Sequence, residues 1–75
     1  MQKTPYKYLP PLGQLITKRL FEDGISQAEL ARQSEISPQH LSNIITGKSS
    51  PQLKTIKKLS IALDIPFKEF IEILD

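Results

Sequence analysis

The 75-residue sequence predicts an all-α fold, a compact orthogonal bundle of five short helices. Three observations predict it. Apolar residues recur at helical spacing, and no stretch alternates convincingly between apolar and polar. Three of the periodic stretches stop at a breaker, at Asp23-Gly24, at Gly47 and at Asp64-Ile65-Pro66, and another runs out near Ser34-Glu35. The connections left between them are only three or four residues long, so consecutive helices must pack on one another.

Each element has its own warrant. Residues 1–9 (MQKTPYKYL) read as a flexible tail, with Tyr8 and Leu9 packing back on the body, and the domain is expected over residues 10–75. Pro10 and Pro11 suit a first turn, after which Leu12, Leu15, Ile16 and Leu20 line one face of the first helix. Gly24 supplies the left-handed residue that closes it, and Ile25 the apolar contact that accompanies such a close. Ser26-Gln27-Ala28-Glu29 is a capping box, in which Ser26 caps the Glu29 amide and Glu29 reaches back to the Ser26 amide. The second helix then spans about residues 27–34, with Leu30 and Ala31 inward. Ser37-Pro38 is an N-cap followed by a first-turn proline, and the third helix runs over about residues 38–46 with Leu41, Ile44 and Ile45 inward. After the Ser49-Ser50-Pro51 turn, Leu53, Ile56, Leu59 and Leu63 share one side of the fourth helix. In the fifth, Phe67, Phe70, Ile71 and Leu74 fall at i, i+3, i+4 and i+7, with the phenylalanines expected in the core.

Composition excludes several function classes. The absence of cysteine removes disulfides and Cys-based zinc, and a single histidine argues against a catalytic metal centre. No phosphate-cradling loop can be assembled from three separated glycines, so neither an enzyme nor a cofactor is expected. No apolar run approaches the ~18 residues of a membrane span, and the polar, proline-containing start does not read as a signal peptide. The expected location is therefore the cytoplasm. The net charge of +2 says little, but its distribution says more. Residues 1–58 hold nine Lys/Arg against four Asp/Glu, whereas residues 59–75 hold one against four. One end is suited to face a polyanion and the other to face away.

The informative stretch is Gln27 to Thr46. It places two short helices about four residues apart, with small Ala31 in the first, Ile36 in the turn, and Leu41 and Ile44 in the second. A helix-turn-helix needs that arrangement. A small residue lets the helices cross closely, and the apolar residues lock the angle, which leaves the second helix proud of the body.

Around this stretch the sequence resembles the Cro/phage-repressor (Xre-like) helix-turn-helix family of bacterial and phage regulators, over roughly residues 12–74. The resemblance is carried by Gly24-Ile25-Ser26-Gln27, Glu29-Leu30-Ala31, Ile36-Ser37, Leu41-Ser42, Gly47-Lys48, Pro51 and the Leu-Ser-Ile-Ala-Leu-Asp-Ile run at 59–65. It implies a lambda-repressor-like, five-helix DNA-binding domain. It also implies a homodimer on a palindromic double-stranded operator, acting as a repressor. Three departures stand out. Glu35 occupies a position where the family usually has glycine. Leu20 and Ile45 replace an Arg–Glu pair, an exchange of a buried ion pair for a hydrophobic contact, so the two are expected to touch. Pro38 stands where the family often has a base-reading side chain.

On this reading Pro38, Gln39, Ser42 and Asn43 face DNA bases. Gln39 and Asn43 each have the carboxamide that grips adenine, Ser42 suits a base or a phosphate, and Pro38 offers apolar contact to a thymine methyl. Gln27, at a helix N-terminus, is expected on a phosphate, as are His40, Lys48, Ser49, Ser50 and Lys54. Arg32 is left between solvent and phosphate. Ile71 and Leu74 are the expected dimer contact. A rival from another class is a protein-interaction module with a protein partner, such as the antitoxin of a toxin–antitoxin pair, marked by a disordered toxin-neutralising tail.

Overall fold

The computed structural model describes residues 5–74. A single 3₁₀ turn at Tyr6–Tyr8 leads into five helices: α1 (Pro11–Asp23), α2 (Gln27–Ser34), α3 (Pro38–Thr46), α4 (Leu53–Leu63) and α5 (Phe67–Leu74). No strand occurs among the described residues. The extents, 27 × 24 × 22 Å, are nearly equal, as befits short helices crossing one another rather than lying side by side.

Local chemistry sets the boundaries. Pro11 occupies the first turn of α1, where its missing N–H costs nothing. Gly24 closes that helix at φ 68°, and the Ile25 amide bonds the Leu20 carbonyl at 3.1 Å. Ser26 Oγ accepts the Glu29 amide and Ser37 Oγ the His40 amide, each at 3.0 Å, so both helices of the central pair begin on a serine cap. The other half of the expected capping box does not form. The Glu29 carboxylate is drawn to the Arg32 guanidinium and to Gln33 Nε2 (2.8 Å), on the same helix face. α2 and α4 also close on left-handed residues, but without glycine: Glu35 has φ 59° and Asp64 φ 54°.

The core is one apolar cluster drawn from every helix: Leu12, Ile16 and Leu20; Leu30 and Ala31; Leu41, Ile44 and Ile45; Ile56, Leu59 and Leu63; and Phe70. Leu20 and Ile45 are both buried members of this cluster. Three expectations need correction. The body begins before residue 10, because Leu9 is buried in the core and Tyr6–Tyr8 is a hydrogen-bonded turn, although Tyr8 itself is exposed. The part of the expected tail at residues 1–4 lies outside the described residues. Leu53 is 60% exposed despite sharing a helical phase with Ile56, because it opens α4 where the helix has not yet reached the core. In α5 Ile73 joins Phe67 and Phe70 on the inward edge, and Phe67, expected in the core, is only half-buried. Ile71 and Leu74 lie on the outward side, as a surface contact there would need.

Two close approaches hold α3 in place. Gly13, in the first turns of α1, lies so near the last turn of α3 that a β-carbon there would sit 2.0 Å from the Ile45 carbonyl oxygen. Gly47, at φ 84°, has the Pro10 ring beside it, 3.2 Å from where its own β-carbon would be. At the far end of α1, the Arg19 guanidinium donates to the Leu63 carbonyl at 2.9 Å and ties the close of α4 to α1.

Candidate nucleic-acid interface

α2 packs on α3, and Ala31 of α2 is buried in the core, while Ile36 in the turn packs against the same cluster. With Leu41, Ile44 and Ile45 inward, α3 presents the opposite stripe to solvent. Pro38 and Gln39 are exposed, and Ser42, Asn43 and Thr46 half-exposed. Thr46 bends back to donate to the Ser42 carbonyl at 2.9 Å. The stripe exists because residues i, i+1, i+4 and i+5 share a helix face, and three apolar neighbours anchor the other one.

A cleft of ≈ 270 Å³ separates the start of α2 from the start of α3, lined by Gln27, Ala28, Pro38, Gln39 and Ser42. Four of the expected contact residues, on two elements, thus share one concavity. Gln39 Nε2 also donates to Asn43 Oδ1 at 3.0 Å, which joins a fifth to the group. Among the described residues no acidic group lines this cleft. The nearby carboxylate of Glu29 is matched by Arg32, whose hydrogen bond, helped by that of Gln33, holds it below the usual carboxylate range. Glu29 in turn raises the Arg32 pKa, and the pairing commits Arg32 to Glu29 in the free protein.

The remaining expected phosphate contacts lie outside the cleft. His40 is half-exposed, one position round α3 from Gln39. Lys48 and Ser50 are exposed in the loop after α3. That loop is anchored, since the Asn43 carbonyl accepts the amides of Lys48 (2.8 Å) and Ser49 (3.2 Å). The Ser49 hydroxyl is buried with no hydrogen-bond partner. Lys54 is exposed in the first turn of α4. Ile71 and Leu74 are 36% and 44% exposed on the outer edge of α5. Sequence reasoning missed Gly13, Arg19 and the Gln39–Asn43 bond. A glycine inside an otherwise helical pattern was the one available signal, for Gly13.

Among the described residues, no group of His, Asp or Glu is placed to hold a metal ion, and no helix is long and apolar enough to cross a membrane. Two short helices locked at a shared apolar seam, the second showing a polar face beside the N-terminus of the first, define a DNA-binding helix-turn-helix domain. A helix-turn-helix family model matches residues 15–70, and the chain belongs to that Xre/Cro-like family of DNA-binding regulators. No curated protein matches the chain.

Proposed function

We propose that the protein is a sequence-specific transcriptional repressor that lays α3 in the major groove of a palindromic operator, as a homodimer. The observation that carries this reading is the uninterrupted stripe of Pro38, Gln39, Ser42 and Asn43, with Gln27 across the cleft at the head of α2. Carboxamides are suited to base edges because they offer a donor and an acceptor side by side. Pro38 and Ala28 add the apolar wall against which a thymine methyl packs. The free amides at the start of α2 favour a phosphate beside Gln27. His40, Lys48, Ser50 and Lys54 extend the backbone contacts outward from the reading face, where they set register without reading sequence, whereas the buried hydroxyl of Ser49 takes it out of the expected phosphate set. Ile71 and Leu74, apolar and outward on the acidic end of the chain, form the isologous dimer contact away from DNA.

The test is selection of binding sites from a random double-stranded DNA pool, run on the wild type and on the Gln39→Ala/Asn43→Ala double variant. The expected result is two half-sites about one helical turn apart, with specificity relaxed in the variant. Retention that is weak, salt-sensitive and without any enriched sequence would leave backbone affinity alone and favour the protein-interaction module instead.

A further inference from the structure

The bond from Gln39 Nε2 to Asn43 Oδ1 joins side chains four residues apart on the outer face of α3. The partners differ in exposure: Gln39 is exposed at the lip of the cleft, whereas Asn43 is half-buried one turn further along. A half-buried side chain thus steadies a solvent-facing one. We propose that Asn43 is a positioning residue, which holds the Gln39 carboxamide ready to read adenine and does not read a base of its own. This rests on the reading that α3 enters the major groove.

Counting donors and acceptors gives the division of labour. After donating to Asn43, Gln39 keeps one Nε2 hydrogen and its Oε1 acceptor. That adjacent pair matches adenine N7 and N6, the one base edge in the major groove that offers an acceptor beside a donor within a purine. Asn43 has its acceptor turned along the helix toward Gln39, which takes one of its two lone pairs, and its two Nδ2 hydrogens remain as outward donors. Those suit any acceptor, a phosphate oxygen included, and confer no preference for adenine. A free glutamine loses rotamer freedom when it docks on a base, whereas a tethered one has lost part of it already. Tethering of this kind changes discrimination by roughly two- to tenfold.

Binding-site selection is run on the wild type, Gln39→Ala, Asn43→Ala and Asn43→Asp. Gln39→Ala identifies one adenine position per half-site by abolishing its preference. Asn43→Ala is expected to weaken the preference at that same position by roughly two- to tenfold and to leave the others unchanged. Asn43→Asp keeps an acceptor for Gln39, so it retains the adenine preference while its charge lowers affinity for all sites. A different position relaxing in Asn43→Ala, with the Gln39 position intact, would make Asn43 an independent reader and overturn the proposal. Equal loss of preference in Asn43→Asp and Asn43→Ala would overturn it too. A wild type that enriches no sequence would overturn the parent reading instead. The tether is also measurable without DNA, by side-chain amide NMR relaxation of the free protein. The Gln39 amide is expected to be more ordered than that of exposed Gln52, and to lose that order in Asn43→Ala. Equal order in the wild type would refute the tether itself.

Discussion

Replacing Gly13 with alanine tests how α1 holds α3, because two effects of opposite sign compete at that position. By propensity alone, alanine in a helix interior gains ~0.8–1.0 kcal/mol over glycine. By packing, the new methyl would lie 2.0 Å from the Ile45 carbonyl oxygen and 3.0 Å from its carbon. Ordinary contact begins at 3.4 Å, so the two backbones must part by about 1.4 Å. The obstacle is main chain, so no rotamer change relieves it. Moving α1 outward opens a gap along Leu12, Ile16 and Leu20, and a gap of ~0.5–1 Å already forfeits a quarter to a half of each contact's dispersion energy. Overpacking of this kind costs ~1–3 kcal/mol, occasionally more, and a backbone obstacle places this case at the upper end. After the propensity gain is subtracted, the net loss is about 2 kcal/mol, or a fall in Tm of roughly 10 °C in a domain of this size. Thermal and urea denaturation followed by circular dichroism read it directly. Operator affinity is expected to fall as well, because the displaced turn of α3 carries Asn43 and the loop it anchors. A Gly13→Ala variant as stable as the wild type, or more so, would refute the close crossing and leave propensity as the only effect.

Other outcomes follow from single residues. Glu35→Gly relieves a left-handed residue that costs ~1–2 kcal/mol, against a glycine entropy cost of ~0.5–1 kcal/mol. A modest rise in Tm is therefore expected, and a fall would contradict the assigned backbone. Asp64→Gly should shift Tm in the same direction by less, since aspartate tolerates that conformation better. Because Arg32 and Gln33 hold the Glu29 pKa below its unfolded value, the pair stabilises the fold above the usual carboxylate range. That contribution is lost as pH falls through the folded pKa. Melting curves on the acid side should thus fall less steeply for Glu29→Gln than for the wild type, and an identical slope would show the pair contributes nothing. Leu74→Glu, at an exposed site, should leave the melting curve unchanged while abolishing cooperative occupancy of two half-sites in gel-shift titrations. Unaltered cooperativity would rule Leu74 out of the proposed dimer contact.

Much of this protein was legible in the order of its residues, because much of it is decided within one helical turn. Ser26 and Ser37 cap amides three residues on, and Gly24 and Gly47 take left-handed turns that other residues resist. The spacing of Leu41, Ile44 and Ile45 orients α3 and so assigns its outer stripe, whatever packs against it. Such features need no knowledge of distant neighbours. What depends on distance was decided by the tertiary structure. The periodicity of α4 admits Leu53 as readily as Ile56, and only the crossing of the helices leaves the former in solvent. In α5 the same pattern fits Ile71 or Ile73 inward, and packing chose Ile73. Glu29 had equally local partners in the Ser26 amide and in Arg32, and the side-chain partners prevailed. Gly13 and the Ile45 carbonyl are 32 positions apart, so nothing near either one announces their contact. The sequence by itself determined where the helices begin, end and face, since caps, breakers and helical periodicity act over three or four residues. How closely those helices cross, and which side chains are thereby brought to one cleft, belongs to the tertiary structure, because it depends on shapes meeting from far along the chain.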